Sequence, residues 1–449
     1  MAEPRAEPGG RSRKLARHVR ARFASAFWTG IANALPRAAL LLAGLYVAHR
    51  FGPDGFARYS LAIVTITVAG GIFSMALIAI GSKYVPELAA AHGGRRGAGF
   101  ASVLGFGAAL AVLLAAGLYV LATPLAVLLA HPDSLAQTLR LAAPVVLAVV
   151  VYGAVDGLLI GSARFAAAAW TTLAGTAVFA LTLVALTDRL DLAGALVALG
   201  LLWGVTALCQ LATIGGAIAD DFRRSTRGER LAQWKPVAGF LVPMLLFIAM
   251  APAMVWICNA ILARGDAPLP AVARFNAAYN WFAVAAFLPN VLAQVEFVHL
   301  SRAKARGDTA GLKPILRLAM AQNLLVMLPL AALGFALSGP LMGLFRVDDI
   351  DGRTTLLLML AAALVASLSN PTGVYFAVID RIWLATGLNV GWGVVALGLA
   401  WALRDHGAVG MGVAFLAAFV VHLACAATLA LRLKAPGSAR QDARTPRTH

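Results

Sequence analysis

GFARYSLA, residues 55–62, recurs 216 residues later as AVARFNAA, residues 271–278. In this register Arg58 corresponds to Arg274. The same offset relates Pro36 to Pro252, and each proline lies near the middle of a long apolar segment. A motif and a mid-segment proline that share one offset indicate an internal duplication. The pattern therefore predicts a chain built from two similar halves in the same orientation.

The composition predicts that both halves lie in a membrane. Of the 449 residues, 61% are hydrophobic and 13% are charged, and the mean hydropathy is +0.81. Soluble chains carry about 25% charged residues. A helix needs roughly 20 apolar residues to cross a bilayer. We therefore predict an all-α polytopic membrane protein of about 12 transmembrane helices in two six-helix lobes, with spans near 26–48, 60–81, 99–122, 139–160, 166–187, 193–218, 237–262, 275–297, 316–337, 355–378, 382–402 and 408–430.

The distribution of basic residues predicts the orientation of the chain. With the N-terminus in the cytoplasm, 27 of the 37 Lys and Arg residues lie in inner segments and 9 in outer ones, while Arg37 lies within a span. The acidic residues outside the spans are divided equally between inner and outer segments, as expected because Lys and Arg determine orientation and acidic residues contribute little. The net charge of +17 is thus a topology signal beside anionic lipid, not a nucleic-acid surface. We predict a multi-pass inner (plasma) membrane protein with both termini cytoplasmic.

Domain boundaries follow from the same division. The inner and outer loops are shorter than about 50 residues, the lower limit of a typical folded domain. The chain has three cysteines without CxxC spacing, and no phosphate-binding glycine loop, nucleophile motif or metal cluster. We predict no enzyme, no cofactor and no metal site, and five regions: a basic cytoplasmic segment 1–25, an N-lobe 26–219, a cytoplasmic linker 220–236, a C-lobe 237–431 and a disordered cytoplasmic tail 432–449.

Two segments resemble a known family. They are RFGPDGFARYSLAIVTITVAGGIFSMALIAIGSKYVPELA, residues 50–89, and ARFNAAYNWFAVAAFLPNVLAQVEFVHLSRAKARGD, residues 273–308. Their patterns of size and polarity are similar to Wzx-type oligosaccharide-lipid flippases of the multidrug/oligosaccharidyl-lipid/polysaccharide exporter superfamily. The resemblance implies a bilobed exporter that flips undecaprenyl-pyrophosphate-linked oligosaccharides for O-antigen, capsule or exopolysaccharide synthesis. It also implies a polysaccharide polymerase and glycosyltransferases as partners, alongside the membrane lipids.

Three other functions remain alternatives. A multidrug and toxic-compound extrusion antiporter shares the predicted fold, but an exporter of cations needs deep acidic residues, and here the deepest charge is basic. A lipid II flippase typically has extra spans and more cations in its cavity. A membrane polysaccharide polymerase needs reactive groups in sizeable outer loops, and the loops here are short.

ANALPRAALLLAG, residues 32–44, places an arginine in the middle of the first predicted span. Arg37 lies roughly 20 Å from either interface at 1.5 Å per residue, and Asn33 shares its helix face. Burying an isolated charge in hydrocarbon costs of order tens of kcal/mol, so a pyrophosphate needs a wet cavity with a cation. A guanidinium stays charged and binds phosphate oxygens bidentately. Two interpretations stay open: Arg37 contacts substrate, or it pairs with an acid such as Asp156.

Other polar residues within predicted spans are further candidates. Four amides of the eighth span lie within about 40° of one line along the helix, and they either line a cavity or join packed helices. Asp156 is a candidate for coupling to a proton or sodium gradient, although the glycines around it also indicate close helix packing. The candidate cavity residues are Arg37, Asn33, Asn276, Asn280, Asn290, Gln294 and Asn370, and the predicted helix kinks are Pro36, Pro252 and Pro371.

Overall fold

The computed structural model describes residues 9–91, 99–129, 132–265, 268–305 and 311–433, and every regular element within these ranges is a helix. The all-α prediction is thereby confirmed. Most of the predicted tail 432–449 and the first eight residues lie outside the described residues. The α-helices are α1 Gly9–Ile66, α2 Ile72–Ala91, α3 Phe100–Leu128, α4 Pro132–Gly161, α5 Phe165–Leu190, α6 Leu192–Arg224, α7 Arg227–Ala232, α8 Trp234–Leu262, α9 Pro268–Ala305, α10 Leu312–Ala336, α11 Ser338–Gly343, α12 Ile350–Val378, α13 Ile382–Ala402 and α14 Gly407–Arg432.

The chain is a multi-pass membrane protein by the length and composition of its helices. Within the described residues nine helical segments are long and apolar enough to span a bilayer. The first, Phe27–Ala89, has 63 residues, which is about three times the length of one crossing. It contains a break at Gly52, where φ is 71° and ψ is −172°. Division of the first segment at this break gives ten segments. The bent helix pair Arg227–Leu246 and Ile248–Leu262 and α9 bring the number to twelve. Twelve crossings stay a prediction.

The helices repeat along the chain as the sequence motif predicts. α3 and α10 begin 212 residues apart, α4 and α12 begin 218 apart, α5 and α13 begin 217 apart, and α6 and α14 begin 215 apart. The turn before α6 adopts φ 51° and ψ −139° at Asp191. The turn before α14 adopts φ 57° and ψ −137° at Gly407, 216 residues later. The internal duplication therefore extends to the backbone of a turn.

The helices group into two compact units that are discontinuous along the chain. The first comprises Met1–Ala43, Ile66–Ala122 and Gln137–Ile248, and the second Gly44–Thr65, Thr123–Ala136 and Ala249–His449. In the second unit, an apolar core joins α9, α10, α12, α13 and α14 through residues such as Leu300, Leu316, Tyr375, Ala385 and Ala430. The contiguous lobes drawn from the sequence stay a prediction.

Candidate functional site

The polar face of α1 lies away from the packed interior of its unit. Pro36 is buried, whereas Arg37 and Asn33 are exposed. The Asn33 side-chain amide donates to the Thr29 carbonyl oxygen at 2.8 Å, one turn earlier. A guanidinium that faced hydrocarbon at mid-span would cost several kcal/mol. The exposed face of α1 therefore needs a polar environment.

Asp156 lies in a buried hydrogen-bonded network of the first unit. The carboxylate, on α4, accepts a hydrogen bond from the side-chain amide of Gln210 on α6 at 2.7 Å. Asp156 is 4% exposed and Gln210 is fully buried. The Tyr152 hydroxyl also hydrogen-bonds to this carboxylate, and no ion pair between Arg37 and Asp156 is found among the described residues. An amide–carboxylate pair leaves one negative charge uncompensated, which suits a group that binds a proton or a cation.

The glycines beside Asp156 bring α4 into close contact with α2. A Cβ atom added to Gly157 would lie 2.7 Å from the carbonyl oxygen of Leu77, closer than real Cβ contacts allow. Gly153 meets the backbone of Ser74 in the same way, and Gly161 meets that of Gly81. Such small-residue contacts are the usual packing mode of transmembrane helices. The glycines around Asp156 thus allow α4 to pack closely against α2.

Asn276 is held in a buried amide pair of the second unit. Its side-chain nitrogen donates to the Asn259 side-chain oxygen at 2.6 Å and to the Val272 carbonyl at 2.8 Å. Asn259 returns a bond to the Asn276 oxygen at 3.4 Å. Both residues are less than 5% exposed, so this pair joins α8 to α9. Of the two interpretations drawn from the sequence, the geometry of Asn276 is that of interhelical packing.

Asn290 and Asn370 come together although 80 residues separate them. The Asn370 amide on α12 donates to the Asn290 side-chain oxygen on α9 at 3.2 Å. Asn290 is exposed and Asn370 is half-buried, so the pair retains accessible donors and acceptors. Asn280 is half-buried on the same helix as Asn290. The side chain of Gln294 lies outside the described residues.

The three predicted kink residues all lie inside helices. Pro36 is within α1, Pro252 within α8 and Pro371 within α12. In α1 the non-helical backbone lies at Gly52 and the dihedral angles at Pro36 are helical. Pro36 and Pro371 are buried. Whether these prolines act as kinks stays a prediction.

The sequence analysis missed the partners of two candidates, Gln210 and Asn259. Each is a polar residue within an apolar run, LCQLAT and WICNAIL. A polar side chain at membrane depth needs a partner because water is absent there. A search of the same half of the chain for another polar residue at mid-span would therefore have identified each partner. Among the described residues no group of three or more His, Cys, Asp or Glu could hold a metal ion.

The chain is similar to one family in sequence and to several transporters in structure. The model of a family described as the lipid II flippase MurJ matches residues 47–346. An inward-facing multidrug resistance MATE family transporter of the MOP superfamily aligns with TM-score 0.76 at 16% identity, over 93% of this chain and 100% of that chain. The eukaryotic MATE transporter AtDTX14 aligns with TM-score 0.70 at 13% identity, over 95% of this chain and 98% of that one.

A third solved structure is a MOP superfamily transporter from Pyrococcus furiosus. It aligns with TM-score 0.64 at 16% identity, over 91% of this chain and 95% of that chain. No curated protein matches the chain in sequence. At these identities the structural likenesses show the fold, which is that of the MATE transporters. Only the family model carries information on function.

Proposed function

This chain belongs to the MurJ family of lipid II flippases, and on that premise we propose that it carries a saccharide linked to a polyprenyl pyrophosphate across the membrane. It is a membrane transporter of the flippase class and not an enzyme. The cargo is the proposed part: an oligosaccharide repeat unit on an undecaprenyl-pyrophosphate carrier, destined for a surface polysaccharide.

The exposed face of α1 is the observation that carries the proposal. It combines one exposed guanidinium and one exposed amide at predicted mid-span, Arg37 and Asn33, beside the buried Pro36. A pyrophosphate crossing hydrocarbon needs a cation that stays charged at this depth, and the guanidinium meets that need. In our proposal Arg37 binds the pyrophosphate, and the Asn290–Asn370 pair binds sugar hydroxyls.

The sugar chain provides many hydroxyl groups, each of which costs a few kcal/mol if it is buried unpaired. Amides suit them because each amide offers both donors and acceptors. Asn290 and Asn370 bond to each other at 3.2 Å, so a sugar hydroxyl can replace that bond without leaving either amide unpaired. We propose alternating access of the two lobes as the transport cycle, with Asp156 as the residue that couples it to a proton or sodium gradient.

Lipid II is the second candidate cargo, and the family match favours it. It shares the polyprenyl-pyrophosphate carrier, so the chemistry of Arg37 is the same for both cargoes. The single deep cation of this chain and its twelve predicted spans favour the repeat unit. Glycosyltransferases would supply such a cargo, and a polysaccharide polymerase would consume it.

Depletion of the protein tests the proposal. Lipid-linked saccharides are extracted from depleted cells and quantified by mass spectrometry. We expect the repeat-unit-linked carrier to accumulate while lipid II stays constant, with wild-type protein restoring the balance. Accumulation of lipid II instead would assign the second cargo. Accumulation of neither intermediate would reject a lipid-linked saccharide as the cargo.

A further inference from the structure

A small cavity lies between α10, α12 and α14 in the second unit. Its volume is about 140 Å³. Lys313, Arg317 and Met320 of α10 form one wall, Thr372 of α12 lies on another side, and α14 contributes small and aliphatic side chains such as Ala427. The cavity therefore combines two cations with an apolar surface.

The two cations lie on one face of α10, four residues apart. The Lys313 ammonium donates to the Leu431 carbonyl oxygen near the end of α14 at 2.7 Å. Arg317 is exposed, and no hydrogen bond or ion pair of its guanidinium is found within the described residues. None of the described residues that line the cavity is acidic. Arg432, next to the cavity residue Leu431, is also exposed. The lining of the cavity within the described part of the chain is thus positively charged.

The position of the cavity in the α10 span indicates a depth near the lipid phosphates. The span formed by α10 begins at Leu312. Lys313 is the second residue of that span, and Arg317 lies about 6 Å further in at 1.5 Å per residue. Long basic side chains at this depth reach the polar interface. By the charge distribution of the sequence, this end of α10 is the cytoplasmic one.

We propose that this cavity binds an anionic phospholipid of the surrounding leaflet. The phosphate accepts hydrogen bonds from the Arg317 guanidinium and the Lys313 ammonium, and an acyl chain lies along Met320 and Ala427. Basic pockets between transmembrane helices at the cytoplasmic face bind phospholipid head groups by this combination of charge and apolar contact. The site is independent of the pyrophosphate contact proposed for Arg37.

Retention of lipid in detergent tests the site. The purified full-length protein is incubated with an equimolar mixture of phosphatidylglycerol and phosphatidylcholine, and bound lipid is counted by native mass spectrometry. We expect wild-type protein to retain phosphatidylglycerol preferentially. Each basic residue near the surface contributes about a fivefold gain in binding to anionic lipid. Arg317→Gln should therefore reduce retention about fivefold, and Arg317→Gln with Lys313→Gln should reduce it further.

Arg404→Gln is the matched control, because it removes one exposed arginine from the opposite end of the α13–α14 pair, and we expect it to retain lipid like wild type. Ala427→Leu fills the cavity without changing charge and should also reduce retention, so the test does not depend on the folding of the charge variants. Equal retention of the two lipids, or unchanged retention in both Ala427→Leu and the double variant, would overturn the proposal. Release of the lipid by inorganic phosphate alone, at constant ionic strength, would show a phosphate site in place of a lipid site.

Discussion

At the scale of single residues, the proposed binding of a pyrophosphate depends on Arg37. Its guanidinium is too deep for easy access to either interface and too costly to leave in hydrocarbon. The residue at the equivalent position in the second half is Ala253, so duplication alone does not explain a charge at this point. A cation kept in one half only is expected when one head group is bound at a time.

Replacement of Arg37 should impair binding of the pyrophosphate without impairing folding. We expect Arg37→Ala to abolish surface polysaccharide while the protein stays in the membrane. Arg37→Lys should restore it only in part, because an ammonium keeps the charge but loses bidentate geometry. Polysaccharide is measured by immunoblot and protein by membrane fractionation. Arg189→Ala, at the exposed last turn of α5, is the control that should transport normally. Normal transport by Arg37→Ala would remove Arg37 from the site.

Substitutions of Asp156 should show whether its hydrogen bonds only stabilise the fold or whether Asp156 also couples transport to an ion. Asp156→Ala leaves the buried amide of Gln210 without its partner, so we expect the free energy of unfolding to fall by about 1–3 kcal/mol. Asp156→Asn keeps a side-chain oxygen for that amide and should cost less. Unfolding is followed by tryptophan fluorescence in detergent.

The second measurement on Asp156 is transport itself. In proteoliposomes with an imposed proton or sodium gradient, Asp156→Asn should still fold but should lose stimulation by the gradient, because an amide cannot exchange a proton or neutralise a cation. Gln210→Glu is a useful comparison because it changes the other partner. Full stimulation of Asp156→Asn would leave Asp156 with a structural role only.

At the scale of elements, the turns before α6 and α14 are one turn used twice. Asp191 and Gly407 share a backbone conformation with positive φ and with ψ near −138°. Non-glycine residues adopt this region at a cost of order 1–3 kcal/mol. The Asp191 side chain makes no capping hydrogen bond in return. The first copy of the turn therefore carries strain that the second copy avoids.

Asp191→Gly should therefore stabilise the protein. We expect a gain of about 1 kcal/mol, because relief of the strained φ exceeds the extra flexibility of glycine in the unfolded chain. Gly407→Ala should lower stability by a similar amount. Both are measured as shifts of the thermal unfolding midpoint in detergent. Asp191→Ala removes the carboxylate without relieving φ, so a gain from this control would assign the effect to charge and contradict the strain.

An ion pair joins α9 to the start of α12. The Arg274 guanidinium donates to both carboxylate oxygens of Asp349, at 3.0 Å to one and 2.8 Å to the other from Nε. Asp349 also accepts from the Gly352 N–H at 2.9 Å as the N-cap of α12. Partial burial alone would raise the pKa of the carboxyl group, but these hydrogen bonds and the guanidinium charge hold the pKa of Asp349 below its ordinary value.

The lowered pKa of Asp349 gives a pH dependence of known sign. The folded state favours the ionised carboxylate, so its stabilisation is present above the unfolded pKa of about 4 and is lost as pH falls through the folded value. Because both side chains are partly exposed, we expect Arg274→Gln to cost less than about 1 kcal/mol at pH 7, and less still at pH 3. The thermal unfolding midpoints of wild type and Arg274→Gln at pH 7 and pH 3 measure this cost. Asp349→Asn, which retains a cap, should reduce this pH dependence to the smaller contribution of Asp351, whose carboxylate lies 3.7 Å from the Arg274 guanidinium. A cost of Arg274→Gln that is the same at pH 3 and pH 7 would contradict the stabilising ion pair.

Helix positions could be predicted from the sequence more readily than side-chain partners. α5 begins at Phe165 and α13 at Ile382, within one residue of the predicted spans, because lipid demands an apolar run of fixed length. α2 continues to Ala91, ten residues beyond the predicted end, because a helix can continue outside the lipid where hydropathy carries no signal. The contact of Asp156 with Gln210 joins residues 54 apart, and hydropathy cannot determine which faces of two spans meet.

At the scale of the whole molecule, the two halves share a scaffold and differ in chemistry. Helix starts and the turn at Asp191 and Gly407 repeat with nearly one offset, whereas the charged residues Arg37 and Asp156 correspond to Ala253 and Thr372. A duplicated scaffold of this kind is common in transporters. Both candidate charged residues therefore lie in the first half. We expect variants of these two residues to affect head-group binding and ion coupling. Variants of Asn290 and Asn370 should instead affect sugar recognition.

The orientation of the chain is the prediction that applies to the whole molecule. With the three native cysteines replaced by serine or alanine, single cysteines are introduced at Arg227, in the linker, and at Asp351, near the start of α12. Because Lys and Arg are retained on the cytoplasmic side, we expect a membrane-impermeant maleimide to label Asp351→Cys in intact cells and Arg227→Cys only after permeabilisation. A cysteine at Leu325, in the middle of the α10 span, is the control that should resist labelling in both states. Labelling of Arg227→Cys in intact cells would invert the topology and would place the Lys313–Arg317 cavity on the outer face.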